Sequence, residues 1–255
     1  MEQQPRGAGP NGLNSQRISL PVWGTLAEAL RVYRLLFRRS VSVAAVVYAG
    51  IAIVTLGRHA TSGLLAHAIA VVVFLLGLAG PIVVQGALVE IVRNIHDGRP
   101  PERIGALFGV SRMHFWSLLG ASLLYALGIF GGLILLIIPG LLVAARWSLM
   151  APSIVLEGRK VGDAQKRSRA LVASQTRPVL ACVILLYVLS ALVLPVYWLT
   201  QLGVVSSVLL SFAWNTLTAP LEAHALTVIY YRLADPDRPV IDPVVMTWTS
   251  VWKAR

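Results

Sequence analysis

The sequence contains few charged residues for its length. Asp, Glu, Lys and Arg make up 13% of the 255 residues, and 56% of the residues are hydrophobic. A soluble domain carries about a quarter charged residues. This shortage excludes a soluble domain with a large core and indicates that a lipid bilayer surrounds most of the chain.

Cysteine, metal-ligand patterns and catalytic motifs are also scarce. The single cysteine, Cys182, excludes a disulfide within the chain. The histidines show no metal-ligand spacing, so we predict no metal and no cofactor. Gly120-Ala121-Ser122 is followed by Leu123 and lacks the glycine-rich turn that an intramembrane serine nucleophile needs. We therefore predict that the protein is not an enzyme.

Residues 1–20 contain no hydrophobic stretch. They are rich in Gly, Pro, Gln and Asn, so they lack the apolar core of a signal peptide. We predict a disordered cytoplasmic tail for 1–20, a membrane domain for 21–233 and a second cytoplasmic tail for 234–255.

Long hydrophobic runs, in contrast, are abundant. A run of about 20 apolar residues is long enough to cross a bilayer as a helix. The sequence predicts an all-α membrane bundle with six transmembrane helices, at about 41–56, 64–92, 115–138, 141–156, 178–198 and 204–231.

The basic residues lie on one side of these six spans. All 22 Lys and Arg residues except Arg58 and Arg146 precede an odd-numbered span or follow the last one. Lys and Arg stay on the cytoplasmic side during insertion. We therefore predict a multi-pass protein of the bacterial cell (inner) membrane with both termini cytoplasmic. The net charge of +11 indicates anionic lipid as a partner and not nucleic acid.

A basic segment precedes each odd-numbered span. The three segments read TLAEALRVYRLLFRR, PERIGALFGVSR and VGDAQKRSRALVAS. We predict short amphipathic helices in the headgroup plane and three parallel copies of one unit. The alternative is that any bundle of helical hairpins produces the same alternation of basic and apolar segments. Predicted lipid-headgroup contacts are Arg31, Arg34, Arg38, Arg39, Lys166, Arg167 and Arg169.

The first of these helices has the clearest pattern. Thr25 and Glu28 are spaced as a capping box. One apolar face contains Leu26, Leu30, Tyr33 and Phe37. We expect a break at Arg38-Arg39-Ser40, where two arginines reach the membrane boundary. The alternative is a cytoplasmic extension of the first span.

A few polar residues lie inside the apolar runs and form the candidate intramembrane site: Arg146, Glu222, His224, Asn215 and Glu90. An unpaired cation in a bilayer costs several kcal/mol. Arg146 therefore snorkels to the outer interface, pairs with Glu222 or Glu90, or serves a substrate. Pro220 frees a backbone carbonyl, so the polar groups near it line a wet cavity or satisfy the kink.

Two further patterns concern packing. Gly128 and Gly132 form a GxxxG motif, which suits close helix packing. The second tail is too apolar for a free linker, so we predict that it docks on the inner interface or on a partner. Its apolar residues are Val240, Ile241, Val244, Met246, Trp248 and Trp252.

One stretch carries a resemblance to a known family. Its matching positions are Ile138-Pro139-Gly140, Arg146-Trp147, Ala151-Pro152, Leu156-Glu157-Gly158 and Ser168-Arg169, with Pro220 and Tyr230-Tyr231-Arg232 further on. From about Thr25 to Leu233 the chain resembles the bacterial six-span membrane domain of some glycerophosphoryl diester phosphodiesterases. The resemblance implies a helical membrane domain concerned with lipids. In that family catalysis belongs to a separate soluble barrel with His and acidic metal ligands, which this sequence lacks, so no catalytic residue carries over.

These observations predict a membrane protein without catalytic chemistry, a scaffold or lipid-interacting accessory protein with a possible membrane-protein partner. The alternative is a small permease or lipid transporter with a site near Arg146, Glu222 and His224. The scaffold hypothesis predicts that replacing Arg146, Glu90 or Glu222 mainly affects stability, and a dry, fully packed bundle would argue against the permease. The permease predicts a wet cavity that converges on these residues.

Overall fold

The computed structural model describes residues 20–100, 102–200 and 202–241, and in this part of the chain every regular element is a helix. The helices are α1 (Val22–His59), α2 (Gly63–His96), α3 (Ile104–Leu135), α4 (Ile137–Trp147), α5 (Met150–Glu157), α6 (Val161–Val172), α7 (Thr176–Ala191), α8 (Val193–Thr200) and α9 (Val204–Ala234). A 3-10 turn, Ala173–Gln175, joins α6 to α7. Six stretches are long and apolar enough to cross a membrane. The predicted all-α six-span fold is confirmed. Of the predicted tail at 1–20 the structure describes only Leu20. Of the second predicted tail, 234–255, it describes 234–241, where Val240 and Ile241 are buried in the core, and the rest of the predicted docking segment lies outside the described residues.

Several helices extend well beyond the predicted spans. The helix α1 has 38 residues, which at about 1.5 Å per residue is roughly 57 Å, against a hydrocarbon core of about 30 Å. The expected break at Arg38-Arg39-Ser40 was wrong, because α1 runs through it. Ser40 is fully buried, and its hydroxyl lies 2.8 Å from His224 Nε2 of α9. The second basic segment likewise continues into α3, and only the third, α6, is a separate helix. The threefold repeat stays a prediction.

The face of α1 that packs against other helices is not the apolar face noted in the sequence. Its buried residues include Ala29, Val32 and Leu36, whereas Leu30 and Phe37 are 38% and 40% exposed. Lipid tails solvate large apolar side chains well, so small residues face the neighbouring helices. The helix begins at Val22, upstream of the predicted capping box.

The predicted capping box was therefore also wrong. The Thr25 hydroxyl donates to the carbonyl of Pro21 at 3.1 Å. Glu28 accepts a hydrogen bond from Arg232 Nε at 2.6 Å and so ties α1 to α9.

Burial is uneven along the spans. In α2, residues 63–79 contain no buried residue, whereas most of 80–96 is buried. In α9, burial begins at Thr216. These buried segments lie at the end of the bundle that carries the basic segments. We call this end the packed half and the opposite end the exposed half.

The α3–α4 hairpin shows why two glycines are needed. The turn lies at Leu136, in extended backbone, and not at 139–140, where the predicted third and fourth spans meet. Pro139 and Gly140 lie in the first turn of α4. A Cβ on Gly132 would lie 2.6 Å from the Cα of Gly140. A Cβ on Gly128 would overlap the ring of Trp147. The GxxxG motif therefore packs α3 against α4.

Candidate binding cavity

A half-open cavity of about 200 Å³ lies between α2, α3, α4, α5, α7 and α9. Its polar lining residues are Gln85, Ser122, Tyr125, Ser148, Tyr187 and Glu222. Trp147 and Met150 contribute apolar walls. A smaller cavity of about 40 Å³ shares Tyr125, Tyr187 and Glu222 with it. A polar cavity inside an apolar bundle offers water or the head of an amphiphile a place that surrounding lipid does not.

Glu222 is the charged residue of this cavity. It lies in α9 two residues after Pro220, which lacks the N–H that would continue the helix ladder. The hydroxyl of Ser190 in α7 donates to Glu222 Oε1. The carbonyl of Ser190 in turn accepts from Trp214 Nε1 at 3.0 Å. No ion pair among the described residues includes Glu222, so its carboxyl faces the cavity without a cation.

Two tyrosines from different spans meet at the cavity. The hydroxyls of Tyr125 in α3 and Tyr187 in α7 lie 2.5 Å apart. Tyr125 donates to the carbonyl of Ala144 at 3.2 Å. Because a phenol has one proton, Tyr187 donates to Tyr125. The Tyr187 oxygen keeps free lone pairs beside the cavity, and the residue is 43% exposed.

The wall at Trp147 and Ser148 is a break between two helices. The helix α4 ends at Trp147 and α5 begins at Met150. From α6, the hydroxyl of Ser168 donates to the carbonyl of Arg146 at 2.7 Å and accepts from Leu149 N–H at 3.2 Å. One buried serine thus satisfies backbone groups that the break leaves free.

A second contact also attaches α6 to this wall. The guanidinium carbon of Arg169 lies 5.6 Å from the centre of the Trp147 ring. At this distance an arginine and an aromatic ring attract each other. The helix α6 therefore holds the break through Ser168 and Arg169, neither of which borders the cavity.

Glu157 at the end of α5 has a contrasting environment. Arg167 Nε donates to Glu157 Oε1 at 2.9 Å. Arg159 and the hydroxyl of Tyr230 also donate to this carboxylate. We call these four residues the Glu157 cluster. It joins α5, α6 and α9 through one carboxylate.

The predicted site residues do not form one cluster. Arg146 is exposed and has no side-chain hydrogen bond or ion pair with any described residue. This excludes pairing with Glu222 or Glu90, one of the three alternatives for Arg146, and snorkelling to the interface stays a prediction. Glu90 is buried and lies 3.4 Å from Arg93 Nη1. Asn215 is exposed and donates to the carbonyl of Ser211 within its own helix. Only Glu222 of the predicted set borders the cavity.

His224 lies in a different environment from Glu222. Its ring is fully buried, and Nε2 lies 2.8 Å from the hydroxyl oxygen of Ser40 in α1. Its Nδ1 has no hydrogen-bond partner within the part of the chain that the structure describes. Neither residue borders the cavity, so this serine–histidine pair connects α1 to α9.

Several cavity residues were not identified from the sequence. Tyr125 and Tyr187 border the cavity together with Glu222, and Ser190 behind it donates to the Glu222 carboxylate. A tyrosine in the middle of an apolar run could have indicated the two tyrosines of the cavity, because membrane proteins usually place tyrosine at the bilayer interfaces.

The predicted headgroup residues are mostly accessible. Arg31, Arg34, Arg38, Lys166 and Arg169 are exposed, and Arg39 and Arg167 are half-buried. Their contact with anionic lipid stays a prediction. Within the described residues, no three His, Cys, Asp or Glu side chains form a group that could hold a metal ion.

No family model, no curated protein and no solved structure matches this chain. The resemblance to the phosphodiesterase-associated membrane domain therefore stays a prediction. What is established is a multi-pass helical membrane protein with a polar cavity between its spans.

Proposed function

We propose that this protein is a non-catalytic, lipid-interacting protein of the bacterial cell membrane, and that its cavity holds the polar head of an amphiphile. The carrying observation is the carboxyl of Glu222, which borders a cavity inside the bundle and has no cationic partner among the described residues. Carboxylates inside membrane spans are costly and accordingly mark binding or transport sites.

The size of the cavity supports an amphiphile's head as the occupant. Its volume of about 200 Å³ is below the about 300–1,000 Å³ of pockets that enclose drug-sized molecules. A whole lipid does not fit. A head does, while its chain lies along the apolar exterior of the bundle.

The second candidate function is transport of such a molecule. Two helix irregularities flank the cavity: the α4–α5 break at Ser148 and Pro220 in α9. Discontinuous helices surround the substrate in many transporters because their free backbone groups face it. A transporter would expose the cavity alternately to both sides of the membrane.

The orientation proposal follows from the basic residues. The packed half carries Arg31, Arg34 and Lys166, all exposed. We place this half and both termini in the cytoplasm, with anionic lipid against these side chains.

Cysteine labelling in intact cells tests the orientation. The variant Cys182→Ala removes the only cysteine. In that background, Thr61→Cys in the α1–α2 loop should react with a membrane-impermeant maleimide, and Ser174→Cys between α6 and α7 should not. The reverse labelling pattern would contradict the orientation.

Native mass spectrometry of the protein extracted with its own lipids tests the binding proposal. The variant Ser122→Phe fills the cavity. The matched control, Leu127→Phe, lies in the same helix at a position that is 70% exposed. A discrete bound amphiphile in the wild type and control, lost in Ser122→Phe, supports the proposal. A ligand-free bundle that leaves the membrane with another protein supports a scaffold instead.

A further inference from the structure

The polar groups of the cavity are mostly hydrogen-bond acceptors. The hydroxyl of Ser190 donates to Glu222. The hydroxyl of Tyr187 donates to Tyr125, and that of Tyr125 donates to the Ala144 carbonyl. The hydroxyl of Ser148 donates to the Ala145 carbonyl at 2.9 Å. The lone pairs that these groups have left are therefore available to a ligand, and their protons are not.

The charges of the residues that border the cavity agree with this excess of hydrogen-bond acceptors. Among the residues that border the cavity, Glu222 is the one with a charged side chain. Arg169 lies against the ring of Trp147, and neither Arg169 nor Arg146 borders the cavity. A carboxylate in a low-dielectric site gains most from a cation that also donates hydrogen bonds.

We infer that the cavity binds a primary ammonium group, the head of an amine-bearing amphiphile. This inference rests on the proposed function and names the class of its ligand. An ammonium group offers three N–H donors, which match the acceptor oxygens of Glu222, Tyr187 and Ser148. A quaternary ammonium has the charge without the donors, and an alcohol has one donor without the charge.

Two further side chains that can donate hydrogen bonds narrow the chemistry of the ligand. The side chains of Gln85 and Ser122 border the cavity and form no hydrogen bond with another described residue. They supply N–H and O–H groups for an oxygen acceptor close to the amine. The head therefore carries an ammonium group with an oxygen a few bonds away.

Binding of three probes with one chain length tests the inference on the wild-type protein. The probes are n-hexylammonium, n-hexyltrimethylammonium and n-hexanol, titrated calorimetrically into the protein in lipid nanodiscs, with empty nanodiscs as blanks. We expect hexylammonium to bind at least about tenfold more tightly than either other probe, because it alone combines charge with three donors. Equal binding of the three probes would overturn the inference.

Two variants locate the site. Glu222→Gln preserves the shape and the hydrogen bond from Ser190, and should weaken hexylammonium binding about tenfold while leaving hexanol binding unchanged. Leu127→Phe should change neither. Equal loss of hexylammonium and hexanol binding in Glu222→Gln would contradict recognition of the charge.

The outcomes separate the two proposals. If the three probes bind equally and Ser122→Phe abolishes their binding, the proposed amphiphile site is supported and the inferred preference for ammonium is wrong. If no probe binds and no native amphiphile is retained, both proposals fail.

Discussion

The two glutamates Glu157 and Glu222 have opposite surroundings in the same bundle. Glu157 accepts hydrogen bonds from Arg159, Arg167 and Tyr230. Glu222 accepts one from the neutral Ser190 and otherwise faces a cavity. A carboxylate surrounded by donors holds helices together, whereas one with unfilled acceptor positions is suited to a ligand. Removing the charge should therefore destabilise the fold at one position and spare it at the other.

The largest expected effect is at the Glu157 cluster. We expect Glu157→Gln to lower the free energy of unfolding by about 2 kcal/mol, because Arg167 and Tyr230 lose a charged acceptor. The Arg159 pair adds little, because the side chain of Arg159 is 40% exposed. Reversible unfolding in mixed micelles measures the change.

Asp163→Asn is the control for this experiment. Asp163 also lies on the basic side, in the first turn of α6, but it is exposed and forms no ion pair with a described residue. Asp163→Asn should leave the free energy of unfolding unchanged. Similar losses in the two variants would mean that net charge, and not the Glu157 cluster, stabilises this surface.

The next effect concerns the contact between α6 and the cavity wall. Ser168→Ala leaves the buried N–H of Leu149 without its acceptor, which costs about 1–2 kcal/mol. Because Ser148 at the same break borders the cavity, ligand binding should weaken as well. Thermal unfolding and probe titration measure the two effects. Ser174→Ala, at an exposed position in the turn after α6, should change neither, and an unchanged Ser168→Ala would show that the break does not depend on α6.

A smaller effect is expected from Tyr230→Phe. It removes one hydrogen bond to Glu157 and retains both arginines. We expect a loss of about 0.5–1.5 kcal/mol, below that of Glu157→Gln in the same unfolding assay. A larger loss than Glu157→Gln would mean that Tyr230 acts mainly through its packing in the core.

The sequence predicts the fold well because the bilayer imposes a simple requirement. Each span needs a long apolar run whose backbone bonds are internal, and six such runs are present. Helix ends were predicted less well, since nothing requires a helix to end at the membrane boundary. The helix α1 runs through Arg38-Arg39-Ser40 for this reason.

The candidate site was predictable only in part. A carboxyl in an apolar run stands out, so Glu222 was found from its sequence context. The partnership of Tyr125 and Tyr187 was not, because it depends on how α3 packs beside α7. The packed face of α1 was missed because hydrophobicity does not distinguish contact with lipid from contact with helices.

The smallest expected effect on stability belongs to Glu222→Gln. The amide has nearly the shape of the carboxyl, still accepts a hydrogen bond from Ser190, and does not place a charge in a low-dielectric site. We expect the free energy of unfolding to stay within about 0.5 kcal/mol of the wild-type value or to rise slightly. The same unfolding assay used for Glu157→Gln measures it without added ligand. A loss as large as that of Glu157→Gln would mean that Glu222 stabilises the bundle and that the two glutamates share one structural role. Unchanged stability together with lost probe binding would instead show that Glu157 stabilises the fold and that Glu222 binds a ligand.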